Sequence, residues 1–146
     1  MRFMMMVKAD KNYEAGIPPK PELLAAIGTL TADMLAAGVL VQTGGLLPSS
    51  TGARIHVSRG KLGVTDGPFA ETKELIGGYA IVEAASRDEA IQIGRRFMEL
   101  HASVLGPSYE GECEVRQLFD GSGCSAAHEN VSRSQPTVVS NLEESL

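Results

Sequence analysis

Histidine and cysteine are scarce in this sequence: three of the first and two of the second occur in 146 residues. Cys113 and Cys124 have no CxxC spacing and no matching histidine cluster, so the familiar zinc patterns are excluded and no metal site is expected. There is no G-x-S-x-G elbow, HExxH pair, Walker loop or Rossmann fingerprint. No cofactor is therefore expected, and nucleotide cofactors in particular are not indicated. Long apolar runs are also missing. The nearest approach, Met1 to Val7, is too short for a signal-peptide core with its cleavage site and far too short to span a bilayer. A cytoplasmic protein with reduced thiols is the expectation. Positive charge is in short supply too, with 13 Lys and Arg against 18 Asp and Glu, a net charge of -5. That balance argues against nucleic acid and anionic membrane as partners, because both need a concentrated basic footprint.

What the chain does have is enough length and apolar content for one domain. Hydrophobic residues make up 43% and charged residues 21%, an ordinary globular composition. A chain of this size buries about two-thirds of the surface its unfolded form exposes. Phe3 to Lys8 reads as a strand with both faces apolar: Phe3, Met5 and Val7 on one, Met4 and Met6 on the other. Residues 9–19 are polar, carry Gly16 and Pro18-Pro19, and read as a loop. Leu23, Leu24, Ile27, Leu30, Met34 and Leu35 recur at helical spacing, which predicts a helix over 21–37 with Gly38 past its end.

Val39 to Thr43 reads as the next strand. Arg54 to Ser58 alternates, with Ile55 and Val57 expected inward. Arg59-Gly60-Lys61 is the expected hairpin turn, and Leu62 to Thr65 the return strand. Tyr79 to Ala84 is a further strand, with Tyr79 and Ile81 on one face and Ala80 and Val82 on the other. Ser86-Arg87-Asp88-Glu89 matches a capping box and opens a second long helix, which should end before Gly106-Pro107. Glu112 to Leu118 is the last strand. From Gly121 onward the chain is Ser-rich and aperiodic, so residues 1–120 are expected to form the domain and 121–146 a flexible tail.

The order β-α-β, hairpin, β-α-β predicts an α+β fold: a ferredoxin-like split βαβ layer with an inserted hairpin and both helices on one face of the sheet. The other sheet face then carries apolar side chains that need cover. A homodimer with sheets face to face is the simplest solution.

The chemically distinctive stretch is Asp66-Gly67-Pro68-Phe69-Ala70-Glu71-Thr72-Lys73-Glu74, followed by Gly77-Gly78-Tyr79. It places three carboxylates and one ammonium within nine residues. Paired carboxylates in different environments can do acid/base work. The competing structural reading is a charged turn, with Asp66 in an Asx-turn and Phe69 anchored in a core.

This motif, with Ala36-Ala37-Gly38-Val39-Leu40, Gly45-Leu46, Asp88-Glu89-Ala90 and Glu112-Cys113-Glu114-Val115-Arg116, resembles the YCII-related family, specifically its DGPF-domain branch. The resemblance covers about residues 1–119. It implies a ferredoxin-like fold that dimerises as an α/β barrel. The compact YCII branch has a proposed His–Asp pair in and near the end of its first helix. Here no histidine precedes His56, so that pair does not carry over. Some relatives in the superfamily are dehydrochlorinases, and some genes of the branch lie beside sigma-factor genes.

Two functional readings follow. One is a cofactor-independent enzyme doing proton abstraction or elimination on a small organic molecule. Its candidate acid/base residues are Asp66, Glu71 and His101, with Lys73, Phe69, Tyr79 and Arg116 as candidate substrate-binding residues. The other is a non-catalytic dimeric module that binds a ligand or a regulatory protein. His101 falls beside the apolar stripe of the second long helix, where it reads either as a core histidine or as a proton shuttle. His56 reads as a surface histidine and His128 as an inert tail residue.

Overall fold

A computed structural model of the chain describes residues 1–70 and 73–121. Glu71, Cys124, His128 and the expected tail beyond Gly121 lie outside them. The element order is β1 (Arg2–Lys8), α1 (Lys11–Glu14), α2 (Pro21–Ala36), β2 (Leu40–Gly45), a 3-10 turn (Ser49–Thr51), β3 (Ala53–Ser58), β4 (Lys61–Asp66), β5 (Ile76–Glu83), α3 (Arg87–Leu105) and β6 (Cys113–Gln117).

β2, β5, β1 and β6 form one sheet in that order, and each neighbouring pair is antiparallel. β1 and β2 therefore run parallel with β5 between them, as the split βαβ arrangement requires. The mixed α+β architecture is compatible with a ferredoxin-like fold. β3 and β4 stand apart as a two-stranded sheet.

Strand alternation decides where the core sits. Phe3 pairs with Val82, and these are the largest fully buried side chains. Phe3, Met5, Leu40, Val82, Ala84 and Ala90 form the core cluster, with Met34, Ile93 and Val115 packed against it. Both long helices therefore lie on the Phe3–Met5 face. α3 comes so close that a Cβ at Gly94 would sit 3.2 Å from Val115 Cγ2. Met4, Met6, Tyr79 and Ile81 point to the opposite face and stay only half-buried.

The helix ends follow their local chemistry. Pro21 sits in the first turn of α2, and Gly38 beyond its end has φ +69°, a left-handed conformation in which glycine avoids a Cβ clash. Ser86 accepts the Glu89 N–H at 3.1 Å. The reciprocal bond of the expected capping box shifts by one residue, because Glu89 accepts from the Ala85 N–H.

Three expectations need correction. Residues 9–19 are not all loop: Asp10 caps α1 by accepting the Tyr13 N–H at 2.7 Å. The hairpin turn is Arg59-Gly60 alone, both with positive φ, and Lys61 already pairs with Ser58. Such a two-residue turn matches the twist of its strands. Ile55 and Val57 do not face inward. With their cross-strand partners Val64 and Leu62 they are 75%, 68%, 66% and 76% exposed. The alternation was real, but among the described residues no layer packs on that face.

Candidate functional site

The 66–74 segment is held from outside rather than by its own turn chemistry. Gly67 donates its N–H to the Gly52 carbonyl at 2.9 Å. Phe69 donates its N–H to Ser49 Oγ at 3.1 Å, and Ser49 donates its own N–H and Oγ–H to the two oxygens of Glu14. Ser49 is thus donor and acceptor in a relay from α1 to the segment. Its burial makes each partner necessary, because a buried hydroxyl without partners is costly. The fit at Gly67 is close: a Cβ there would fall 1.7 Å from the Ser49 carbonyl oxygen. The Gly67–Pro68 peptide is cis.

The other end is held by charge. Lys8 Nζ lies 2.8 Å from Glu74 Oε2 and 3.6 Å from Glu114 Oε2. The Lys8 side chain is only 12% exposed. Its hydrogen bond to Glu74 raises the Lys8 pKa above its ordinary value despite the opposing effect of desolvation, and the same bond lowers that of Glu74. Lys8 is therefore a fixed ammonium. It can orient an anion or a carbonyl but has no lone pair to act as a base.

The expected site residues divide between two sides of the sheet. Tyr79 and Arg116 lie on the open face, where Met6 pairs with both Tyr79 and Glu114, and Met4 with both Ile81 and Arg116. Tyr79 Oη accepts from Gln42 Nε2 at 2.9 Å, which satisfies its polar tip. Its ring lies against Gly44, where a Cβ would come within 3.1 Å. Arg116 Nε stands 3.7 Å from Glu114 Oε1, an exposed pair of small energetic weight.

His101 is on the helix side, 7% exposed, with Nδ1 2.8 Å from the Phe97 carbonyl oxygen. A carbonyl only accepts, so Nδ1 carries a proton. The ring packs against Phe97 and Tyr109, with centroids at 4.4 Å and 5.8 Å. Burial pushes the Tyr109 hydroxyl pKa up. Within one chain the sheet separates His101 from Tyr79 and Arg116.

Asp66 is exposed at the end of β4, in register with Ala53. The Asx-turn expected of it does not form, and its carboxylate has no hydrogen bond or ion pair with another described residue. The loop-holding role belongs to Glu14. Phe69 is half-buried beneath Arg54, whose Cζ is 4.0 Å from the ring centroid. Its anchor is a cation–π contact rather than a place in the core cluster. Lys73 is exposed, and the lysine that pairs with Glu74 is Lys8. Glu71 lies outside the described residues. No group of His, Cys, Asp and Glu among the described residues is placed to hold a metal ion. No helix among them is long and apolar enough to cross a membrane.

Lys8, Glu14, Ser49 and Gln42 were missed by sequence reasoning. For Glu14 a signal existed: Asp10 as a cap, an acidic residue in the following turn and Gly16 beyond it make a short helix. The others depend on contacts across 35 or more residues of chain.

These features define a class first: a small split-βαβ domain with one covered sheet face, one open face, and a tied-down acidic segment beside the open one. Comparison with known proteins supplies the family. The YCII-related domain model matches residues 1–105, and the chain belongs to that family. It is also similar to the uncharacterised protein R00369 of Rhizobium meliloti (strain 1021), 38% identical over 82 residues. That match spans 56% of this chain and 61% of the relative's length.

Proposed function

We propose that this YCII-related chain, of the DGPF branch, acts as a homodimer that binds a small organic molecule at the edge of its open sheet face. One observation carries this: the face opposite the helices combines apolar side chains (Met4, Met6, Ile81) with two preformed polar pairs on either side of Met6, Lys8–Glu114 and Gln42–Tyr79. Apolar cover and a few convergent polar groups are what a ligand site needs. A second copy supplies the cover, as in a dimeric α/β barrel, and the exposed apolar face of the β3–β4 hairpin extends the surface available for pairing. Sedimentation should give the mass of two 15.4 kDa chains, and Ile81→Lys should give one. A wild-type monomer at micromolar concentration would sink the dimer.

The reaction we assign is proton abstraction or elimination without a cofactor, with Asp66 and Glu71 as acid/base residues and Lys73 orienting the substrate. Asp66 supports this because its carboxylate is exposed and is not committed to holding the loop. A panel of carbonyl compounds with acidic C–H bonds, incubated in D2O and followed by NMR, tests it. Wild type should exchange and Asp66→Asn should fall to background. Equal exchange removes Asp66 from the reaction.

A non-catalytic regulatory module is the second reading. It draws on the engagement of Glu14 and Glu74 in holding the segment. Under it, the whole panel stays at background while the dimer persists.

A further inference from the structure

Away from the open sheet face, α3 overhangs the edge strand β6 and leaves a groove of about 300 Å³ lined by Arg87, Ile91, Gly94, Arg95, Met98, Cys113 and Val115. The helical lining residues recur at three- and four-residue steps, so they form one stripe of α3. Among the described residues β6 ends the sheet, and the groove runs along that edge. The volume is at the lower end of what small-molecule sites use.

The lining is sorted by chemistry. Ile91, Met98, Val115 and the half-buried Cys113 make an apolar floor. Gly94 lets strand and helix approach closely enough to close that floor from below, since a Cβ there would press on Val115. Arg87 and Arg95 stand above it, two turns apart on the helix. Their nearest carboxylates are at 4.0 Å (Asp88) and 3.8 Å (Glu99). Both distances are beyond hydrogen-bond range. Each arginine is thus in a long, exposed ion pair of small energetic weight, and an incoming oxyanion can compete for its guanidinium donors. Two loosely paired guanidiniums beside an apolar floor offer an incoming anion both charge and hydrogen-bond donors.

We propose that this groove binds a small amphiphilic carboxylate: an apolar chain or ring on the Ile91–Met98–Val115 floor, and a carboxylate held by Arg87 and Arg95. The site is independent of the open-face reading, because the sheet lies between the two: β6 turns Cys113 and Val115 to the groove and Glu114 to the open face.

Cys113 is a built-in reporter. A Cys124→Ser background leaves one thiol in the full-length chain. Alkylation by N-ethylmaleimide, which is neutral and so not drawn to the arginines, then reads access to the groove. Octanoate should slow alkylation at least five-fold at saturation, while 1-octanol at the same concentration should change it less than two-fold. Arg87→Gln with Arg95→Gln should weaken octanoate about ten-fold and leave the ligand-free rate unchanged; both residues are exposed, so the fold should persist. Equal protection by octanol, no protection by octanoate, or undiminished protection in the double variant would each overturn the assignment. Calorimetry of octanoate binding to the same two proteins gives an independent check.

Discussion

Replacing Gly67 by alanine tests how the 66–74 segment is held. The added methyl carbon would fall 1.7 Å from the Ser49 carbonyl oxygen and 2.6 Å from its carbon. Both are backbone atoms, so no side-chain rotation relieves the overlap. The segment must lift away from the 3-10 turn. Doing so breaks the Gly67 N–H bond to Gly52 and the Phe69 N–H bond to Ser49, each worth about 1 kcal/mol. Residual overpacking adds about 1 kcal/mol or more. The expected loss is about 3 kcal/mol in urea unfolding at fixed protein concentration, with an unchanged m-value.

Two other glycines serve as controls of different sign. Gly60 has φ +75° but open space around it, so Gly60→Ala should cost only about 1–2 kcal/mol from the left-handed backbone. Gly28 lies inside α2 with nothing within 4 Å of a Cβ. Gly28→Ala should stabilise by about 0.5–1 kcal/mol. If Gly67→Ala cost no more than Gly60→Ala, contact with the Ser49 backbone would not be what restricts position 67.

The remaining predictions address the two ends of the segment and the open surfaces. Ser49→Ala removes the hydroxyl that donates to Glu14 and accepts from the Phe69 N–H, leaves the backbone N–H bond to Glu14, and should cost about 2 kcal/mol. A double-mutant cycle with Glu14→Gln should show coupling of about 1 kcal/mol or more, and additivity within 0.3 kcal/mol would break the relay. The Glu74 pKa is lowered below its ordinary 4.5 and the Lys8 pKa is raised above 10.5. Their pairing therefore stabilises between those limits. It is lost as pH falls through the folded Glu74 value, or rises through the folded Lys8 value. Lys8→Met should flatten the acid limb of stability against pH below about 4.5, and an unaltered limb would contradict the assignment. Val57→Lys with Leu62→Lys should leave the circular dichroism of the helices intact while shifting sedimentation toward the single-chain mass, and an unshifted mass would exempt the hairpin from pairing.

Legibility in the sequence follows the range of the interactions. α2 and α3 were readable because their caps, apolar stripes and terminating glycines lie within a few residues of one another. The two-faced apolar pattern of β1 predicted cover on both faces; within the described residues the Phe3–Met5 face is buried and the Met4–Met6 face only half-buried. The β3–β4 alternation identified strands but not what covers them, because alternation reports that one face prefers burial and not where its partner comes from. Charge partners were the least legible. The sequence places Lys73 beside Glu74, yet the short contact is with Lys8, 66 residues away along the chain.

The same reasoning separates the carboxylates near the proposed site. Asp66 sits where turn chemistry would have used it locally, but the strand continues through it, and its side chain is left exposed after β4 pairs with β3. Glu14 comes from a helical turn 52 positions earlier in the numbering and takes the two donors of Ser49. A carboxylate accepting two donors is fixed in one place, which suits a strut. A carboxylate left in water has its oxygens free to meet a substrate proton, which a general base requires. If the 66–74 segment takes part in chemistry, Glu14 should therefore matter for its position and Asp66 for the reaction. Stability and turnover would then separate: Glu14→Gln lowers the first more than the second, and Asp66→Asn the reverse. Parallel losses in both variants would mean that the segment is a structural unit whose charges serve only to hold it down.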